Sequence, residues 1–369
     1  MKNYIDIEQL LEKYQDEYRV IGKGPEAKNR LWDGELVRNT VITARENYLL
    51  AARHQKPEFM PVGDDEQMFS PSIFPDAIAR AMVVDNSDHD HSVKGGKDMF
   101  DVPWKYISDA GGSMEEPGSE LFDDANEWEK KIRFPDISKW DWELSGKQNA
   151  PLFTGEFPFG IWIMNGLFER LISFMGFENA SVALIDEDQK DAVHQLFNRL
   201  AALYEEMIAR IAQTYKTDIL LFHDDWGSQR APFFSPDVCR EMIAPYLKRV
   251  VDAAHAHGMA FNFHCCGKNE IMVPVMIECG VDIWRGQYMN DFKSLYQKYG
   301  SRITLGVFYE PPTPAATRED VTEACLQFLR DFTGNGYAFP VTYGMPTHPE
   351  WFEILYSLSR EYFSGRLTL

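Results

Sequence analysis

Two residues that commonly bind transition metals, His264 and Cys266, lie two positions apart and are followed by Gly267. Side chains two positions apart on a strand point to the same face, so a strand ending here would direct the imidazole and the thiolate to one side. Zinc accepts histidine nitrogen and cysteine sulfur in tetrahedral geometry, and a catalytic zinc site keeps one position open. The pair therefore predicts part of a zinc site whose other ligands come from elsewhere in the chain, with a buried polar pair in the core as the alternative.

Two consecutive carboxylates, Asp224 and Asp225, follow the apolar run Ile219–Phe222. Carboxylates directly after a buried strand cost free energy unless they are solvated or used. We expect Asp224 and Asp225 to serve as catalytic acid or base, as metal ligands or as acceptors for a substrate, with a solvated loop and a helix cap as the alternative. Glu310, between Tyr309 and two prolines, is a further candidate metal ligand, with a salt bridge that anchors the loop as its alternative.

Aromatic and polar residues accumulate in the same segments of the chain. This combination is typical of an apolar pocket with a few converging polar groups, so we predict a substrate-binding role for several of them. These residues are Trp226, Gln229, Phe308 and Glu156.

The candidate residues fall at the ends of predicted strands, in a regular pattern that begins near residue 151. Short apolar runs alternate there with amphipathic helical stretches, which is typical of βα units and a parallel sheet. The predicted strands are Leu152–Phe157, Thr217–His223, Met259–His264, Asp282–Arg285, Ile303–Tyr309 and Tyr337–Thr342. The predicted helices are Asp186–Tyr215, Pro236–His257, Asn269–Cys279, Asp291–Tyr299, Arg318–Phe332 and Pro349–Phe363.

A further strand at Glu58–Gly63 and one within the segment up to about residue 143 bring the total to about eight, so we predict an α/β fold of the TIM (β/α)8 barrel type. A doubly wound sheet is disfavoured because no Gly-x-Gly-x-x-Gly turn follows the early strands. Residues 1–55 are predicted to form an N-terminal helical extension that packs on the barrel, and residues 56–369 to form the barrel with a long early insertion. Active sites of such barrels lie at the C-terminal ends of the strands.

The charge balance restricts the partners of the protein. The 57 acidic and 37 basic residues give a formal net charge of -20, which repels nucleic acid and anionic lipid surfaces. The amphipathic start lacks the apolar region of a signal peptide, and no apolar run approaches the roughly 18 residues of a membrane span. We therefore expect a cytoplasmic protein without nucleic-acid or membrane partners. Five cysteines, an odd number, favour reduced thiols over a disulfide framework.

Short motifs along most of the chain point to a known family. They are Ala44–Leu49, Arg53–Pro57, Ser235-Pro236, Pro245–Lys248, His264–Gly267 and Glu278-x-Gly280-Val281-Asp282. From about residue 40 onward the chain resembles the uroporphyrinogen decarboxylase-like superfamily. This superfamily contains the decarboxylase of haem synthesis and zinc-dependent methyltransferases that work with corrinoid proteins.

The resemblance implies different residues for these two activities. The decarboxylase motif, of the Arg-x-Ala-Gly-Arg kind after the first strand, is replaced here by Asp64-Asp65-Glu66, which would repel a porphyrinogen with eight carboxylates. The methyltransferase pattern implies zinc on His264 and Cys266 and on a later cysteine beside glycine. Tyr343 stands at the position of that cysteine, so a remaining metal would recruit Glu310, Asp225 or Asp224.

The resemblance thus implies a zinc-assisted O-demethylase component that moves a methyl group from a methoxylated aromatic to the cobalt(I) of a corrinoid protein. In this interpretation His264, Cys266 and Glu310 hold the metal, and Tyr343 acts as an acid on the departing phenolate. Trp226 and Phe308 stack on the ring. Other methyl donors (a methylamine, a thioether or a methylcobamide), a decarboxylase acting on a smaller substrate, and a catalytically inactive scaffold remain alternatives at this point.

Overall fold

A computed structural model describes residues 5–30, 35–109 and 112–369 of the chain. In these ranges the strands are β1 (Val20–Lys23), β2 (Leu36–Arg38), β3 (Gln67–Phe69), β4 (Gly95–Lys97), β5 (Pro103–Ile107), β6 (Gly112–Glu115), β7 (Phe159–Ile163), β8 (Ile219–His223), β9 (Ala260–His264), β10 (Ile283–Arg285), β11 (Thr304–Phe308) and β12 (Ala338–Val341).

The same ranges contain helices on both sides of the early insertion. They are α1 (Ile7–Tyr18), α2 (Ala44–Ala52), α3 (Pro75–Ala79), α4 (Trp128–Lys131), α5 (Trp142–Asn149), α6 (Leu167–Ala183), α7 (Lys190–Thr214), α8 (Pro236–Met242), α9 (Ala244–Ala256), α10 (Val273–Cys279), α11 (Phe292–Tyr299), α12 (Arg318–Phe332) and α13 (Trp351–Phe363). None of the helices in the described part of the chain is both long enough and apolar enough to span a bilayer.

A parallel sheet forms the centre of the molecule. Its seven strands, counted over the described residues, lie in the order β3-β7-β8-β9-β10-β11-β12, and every neighbouring pair is parallel. Strand β8 is buried along its whole length, as expected for a parallel sheet that is covered on both faces. The α/β class and the parallel sheet predicted from the sequence are confirmed.

The two edge strands of the sheet approach each other through a turn. Residues Gly63–Asp65 form one turn of 3-10 helix just before β3, and the Asp64 carboxylate accepts hydrogen bonds from the backbone N–H and the hydroxyl of Thr342, directly after β12. No ladder between β3 and β12 is present in the described ranges. In the described ranges the structure therefore has a curled, TIM-like sheet of seven strands, consistent with the predicted fold, and a closed barrel of eight strands is not shown.

Two of the predicted strands are wrong. Glu58–Gly63 does not form a strand, because its backbone N–H groups donate to side chains instead of a neighbouring strand. The N–H of Glu58 donates to Asn47, and the N–H of Met60 donates to Ser359. Leu152–Phe157 begins instead in a 3-10 turn, and the strand starts only at Phe159. The other five predicted strands from residue 217 onward are present with shifts of one or two residues at their ends.

The extension and the insertion contain more strand than expected. The predicted helical extension includes an antiparallel hairpin of β1 and β2, and the insertion contains an antiparallel sheet of β4, β5 and β6. The five cysteines are all free, as the odd number suggested.

Helix α2 packs against the amino ends of the sheet strands. Its Arg45 donates three hydrogen bonds of 2.6 to 3.0 Å to the Asp218 carboxylate, directly before β8. The Thr304 hydroxyl at the start of β11 donates to the Ala51 carbonyl over 2.8 Å. The Tyr48 hydroxyl reaches farther into the sheet and donates over 2.7 Å to the buried Glu66 carboxylate, which also accepts from Asn262 of β9. This end of the sheet is thus closed by paired polar groups.

Candidate functional site

Two histidines lie at the carboxyl ends of neighbouring strands, opposite the end of the sheet that α2 covers. His223 is the last residue of β8 and His264 the last of β9, and the two residues pair directly in the parallel ladder. Their rings stack with centroids 5.2 Å apart and planes 20° apart. Because both side chains leave the same face of the sheet, two imidazoles converge where the sequence alone predicted one.

Cys266 completes a group of three metal-ligand atoms. Its Sγ lies 3.5 Å from Nε2 of His264, and the ligand atoms of His223, His264 and Cys266 all lie within 4.8 Å of one another. In a tetrahedral zinc site, bond lengths of about 2.1 Å to nitrogen and 2.3 Å to sulfur place those two atoms about 3.6 Å apart. The sulfur and nitrogen of this chain therefore stand at a spacing that suits zinc.

Asp225 lies beside this group of ligands. Its Oδ1 is 3.1 Å from Nε2 of His223 and accepts the backbone N–H of Cys266 over 2.6 Å. Its side chain is 29% exposed, so it faces both the ligands and the solvent. A carboxylate oxygen is thus available next to two nitrogens and one sulfur.

The other ring nitrogen of His223 is held by acceptors. Nδ1 lies 2.9 Å from the Glu169 carboxylate and 2.9 Å from the Met164 carbonyl. Metal-binding histidines usually donate their second ring nitrogen in this way, which fixes the tautomer and the ring orientation. Nε2 of His223 is consequently the nitrogen that faces Asp225 and Cys266.

The protein environment sets the protonation of these groups in the metal-free chain. Burial alone would lower the pKa of His223, but the carboxylates of Glu169 and Asp225 outweigh it and raise that pKa well above its usual range. Burial and the charge of His223 lower the pKa of His264 to about 3. Burial raises the pKa of the Cys266 thiol to about 11, even though a hydrogen bond with His223 lowers it. His264 is therefore neutral, with a lone pair free to bind a metal.

The two carboxylates predicted for catalysis have different surroundings. The carboxylate of Asp224 is buried and accepts the backbone N–H groups of Leu167, Phe168 and Glu169 and the indole N–H of Trp226. It caps the start of α6, which has no side-chain cap of its own. Burial and the Glu169 carboxylate raise the pKa of Asp224 to about 7, while these donors act in the opposite direction. Asp225 instead faces the metal-ligating group.

Several residues predicted for the site lie away from the three ligands. Trp226 is fully buried against Phe263, with ring centroids 4.8 Å apart. The side chains of Gln229 and Glu310 are exposed, and Glu310 is in neither group of metal-ligand atoms found among the described residues. Glu156 precedes β7, near the amino ends, and lines a separate cavity of about 290 Å³ beside α13.

An aromatic rim lies beside the metal-ligating group. It consists of Tyr288, Phe308 and Tyr343, whose ring centroids are 5.8 and 5.7 Å apart along the row. Tyr288 is 65% exposed and Tyr343 48% exposed, and Tyr343 has a left-handed φ of 50°. Desolvation of the hydroxyl raises the pKa of Tyr343 to about 12. The nearby Arg285 guanidinium lowers this pKa and the Cys266 thiol raises it, but both effects are smaller than that of desolvation.

Backbone contacts fix the two turns that carry the ligands. A Cβ on Gly267 would lie 2.3 Å from the Gly227 carbonyl oxygen, and Gly267 has a φ of +98° that favours glycine. The N–H of Lys268 also donates to the Ser228 carbonyl over 2.8 Å. The turn after β8 and the turn after β9 therefore lie in direct contact.

Sequence reasoning missed two residues of this site. His223 ends an apolar strand, and its polar type at that position was the signal that could have identified it. Glu169 lies in the first turn of α6 and reaches His223 only through the fold, so nothing in its local sequence marks it.

Comparisons with known proteins agree with this architecture. The uroporphyrinogen decarboxylase (URO-D) family profile matches residues 168–357, more than half of the chain. The chain belongs to the uroporphyrinogen decarboxylase family. The superfamily resemblance read from the sequence is thereby confirmed, and the match within this family includes Glu169, His223, His264, Cys266 and Tyr343. A search of curated proteins finds no match.

Solved structures with similar folds extend the comparison. A methyltransferase from Methanosarcina mazei has a TM-score of 0.51 at 13% identity, covering 88% of this URO-D family chain and 99% of the other. D-Psicose 3-epimerase from Clostridium cellulolyticum H10 has a TM-score of 0.34 at 12% identity, covering 64% and 79% of the two chains. At these identities the first similarity shows the fold.

Proposed function

We propose that this URO-D family protein is a zinc-dependent methyltransferase whose metal is held by His223, His264 and Cys266. The observation that carries the proposal is the convergence of two nitrogens and one sulfur within 4.8 Å at the carboxyl ends of β8 and β9. This donor set suits zinc, and three protein ligands leave the fourth position of a catalytic site open. His223 supplies the ligand that the family's later cysteine would provide, since Tyr343 occupies that position.

The charge of this ligand set suits a Lewis acid. Two neutral histidines and one thiolate leave a bound zinc ion with a net positive charge, and zinc there would stabilise negative charge on an oxygen leaving group. Asp225, which contacts both His223 and Cys266, orients those ligands from the open side. Glu310 is too exposed to be proposed as a ligand again, and we assign it no role.

The proposed substrate is a small methoxylated aromatic compound. In the reaction, the carbon–oxygen bond of the methyl ether breaks, a cobalt–carbon bond forms with the electron pair of cobalt(I) in a partner corrinoid protein, and the aromatic oxygen leaves as phenolate. An aryl ether is a poor electrophile, so stabilising the departing oxygen is what the enzyme has to supply. Methylamines, thioethers and methylcobamides are alternative methyl donors to test beside it.

The aromatic rim supports a flat substrate. Phe308 packs between Tyr288 and Tyr343 and is positioned to stack on a ring that enters beside Cys266. Tyr343, whose hydroxyl keeps its proton at neutral pH, can donate a hydrogen bond to the departing oxygen. Trp226 is not proposed to stack on the substrate ring, because its own ring is fully buried, and Phe308 alone has that role.

The charges near the ligands disfavour a polycarboxylate substrate. Two arginines approach the site, and each already faces a carboxylate: Arg80 lies 3.2 Å from Glu169, and Arg285 lies 3.6 Å from Glu66. A porphyrinogen with eight carboxylates needs uncompensated positive charge, and the net charge of -20 adds to the repulsion. These observations support methyl transfer over the decarboxylation that gives the family its name.

Metal content is the first test of this proposal. We expect about one zinc per chain in protein purified without chelators, and loss of that zinc in Cys266→Ser. Arg133→Met, an exposed change in the early insertion, serves as the matched control and should retain the metal. Wild-type protein should then transfer methyl groups from methoxylated aromatics to a cobalt(I) corrinoid protein. A wild-type chain that binds no zinc overturns the proposal and favours a metal-free decarboxylase or an inactive scaffold.

A further inference from the structure

Arg80 brings the early insertion into contact with the proposed metal ligands. It ends α3, directly before Ala81, which has a left-handed φ of 56°. A non-glycine residue in that conformation costs roughly 1 kcal/mol or more and persists only where its surroundings require it. The guanidinium lies 5.0 Å from the Trp104 ring centroid of β5, and the side chain is 16% exposed. The contact with Trp104 and the low exposure therefore hold the Arg80 side chain in one place.

The guanidinium of Arg80 holds the carboxylate that contacts His223. Its Nη1 lies 3.2 Å from Oε1 of Glu169 and 3.2 Å from Oδ1 of Asn165. The other oxygen of Glu169, Oε2, lies 2.9 Å from Nδ1 of His223. One carboxylate thus connects Arg80 to the imidazole, with one oxygen for each.

The contacts of Nδ1 fix the orientation of the His223 ring. Glu169 Oε2 and the Met164 carbonyl lie 2.9 Å from Nδ1, and Nη2 of Arg80 lies 3.3 Å from it. Nε2 lies on the other side of the ring, 3.1 Å from Asp225 Oδ1. Nε2 is therefore the nitrogen that faces the proposed metal position.

We infer that Arg80 is a positioning residue for the metal centre. By fixing Glu169 beside Nδ1, it holds the His223 ring so that Nε2 is directed toward Cys266 and His264. This inference rests on the proposed function, because it needs a metal at His223. Arg80 lies outside the family match at residues 168–357 and reaches the site from the early insertion.

Zinc affinity measured by competition with a chelator tests this role directly. Partners of metal-bound histidines typically contribute 10- to 100-fold in metal affinity, so we expect Arg80→Met to weaken zinc binding about tenfold and Glu169→Gln by at least as much. Arg80→Lys keeps a positive charge near Glu169 and should recover part of the loss. Arg133→Met, the same replacement at an exposed site of the insertion, should bind zinc as the wild type does.

Cobalt(II) substitution separates positioning from simple loss of folding. The visible spectrum of a cobalt(II) site reports its coordination, so Arg80→Met should change that spectrum while circular dichroism remains that of the wild type. If Arg80→Met does not fold, Glu169→Gln tests the same contact from the other side.

Three outcomes are distinguishable. Weaker zinc binding and a changed cobalt spectrum in folded Arg80→Met, with recovery by Arg80→Lys, support the inference. Wild-type zinc affinity and an unchanged spectrum in the folded variants overturn it while leaving the metal centre intact. Absence of zinc and cobalt binding in the wild-type chain overturns the proposed function together with this inference.

Discussion

The two ends of the parallel sheet use polar residues in opposite ways. At the amino ends, polar groups meet complementary partners: Arg45 binds both oxygens of Asp218, and the Thr304 hydroxyl binds the Ala51 carbonyl. At the carboxyl ends, His223, His264 and Cys266 place their ligand atoms within 4.8 Å of one another, with Asp225 beside them. The amino ends are built for stability, and the carboxyl ends keep donor atoms available at a cost in stability.

Buried polar atoms without a hydrogen-bond partner occur near the carboxyl ends, although His54 Nε2 and Glu66 Oε1 have none either among the described residues. The indole N–H of Trp162 on β7 and the amide nitrogen of Asn165 are buried without a hydrogen-bond partner among the described residues. A buried polar group without a partner costs about 1 to 3 kcal/mol. Changes at the two ends should therefore separate activity from stability.

Removing a metal ligand should give the largest effect, on activity alone. His264→Gln keeps a polar side chain of similar size but removes the imidazole. We expect zinc to be lost and methyl transfer to fall about a hundredfold or more, because a Lewis acid supplies several kcal/mol and each 1.4 kcal/mol is a factor of ten in rate. Thermal unfolding of the metal-free variant should match that of the metal-free wild type. A large loss of stability instead would contradict the division between the two ends.

Removing a partner at the amino ends should give the reverse result. Arg45→Ala leaves the largely buried Asp218 carboxylate without its cation, and we expect the free energy of unfolding to fall by about 2 kcal/mol. Zinc affinity should remain that of the wild type. Arg53→Ala, at the exposed end of the same helix, is the control and should change stability little. Denaturant unfolding with zinc titration measures both quantities.

Asp224 lies at the carboxyl ends of the strands, but we expect its replacement to lower stability and not zinc binding, as a replacement at the amino ends does. Asp224→Asn replaces one acceptor oxygen with an N–H donor that faces the N–H groups at the start of α6, so stability should fall by about 1 to 2 kcal/mol. Zinc should still bind, because Asp224 is not among the ligands. Asp291→Asn, at the exposed cap of α11, should cost less. Loss of zinc with unchanged stability would assign Asp224 to catalysis after all.

The smallest expected effect is a pH dependence at the amino ends. A hydrogen bond to Asp282 raises the pKa of His255 above its usual value, although burial opposes it. This pair contributes stability in full below the unfolded-state pKa of about 6.5 and loses it as pH rises through the folded-state value. The contribution should be roughly 0.5 kcal/mol, since His255 is partly exposed. Unfolding of the wild type and of His255→Gln should differ more at pH 6 than at pH 8.5.

Local sequence patterns predicted five of the seven strands of the parallel sheet but not β3 and β7, which form one side of it. Strands β8, β9, β10, β11 and β12 are short apolar runs, and their alternation with helical stretches of 3.6-residue period identifies them. β7 was misplaced because Pro158 and Gly160 interrupt its apolar run, and Gly160 is needed where the Glu66 carboxylate packs against the strand. β3 has only three residues, too few for an alternating pattern to show.

The site was predictable where its geometry is local. His264 and Cys266 share a face because they are two positions apart, and the structure brings them together. His223 joins them only through the register of β8 against β9, and Glu169 and Arg80 arrive from a helix and an insertion distant in sequence. Gln229 and Glu310 follow strands but point to solvent, since closeness to a strand end does not fix a side chain's direction.

The contact between Gly227 and Gly267 has a consequence for redesign of this protein. With less than 3 Å between the would-be Cβ of Gly267 and the opposite backbone, neither turn accepts a larger residue without moving a ligand. Libraries that aim at new methyl donors should therefore hold both glycines fixed. Diversity belongs at Tyr288, which is 65% exposed and lies on the rim away from the two turns. The two turns therefore set a fixed geometric limit on how the site can be redesigned.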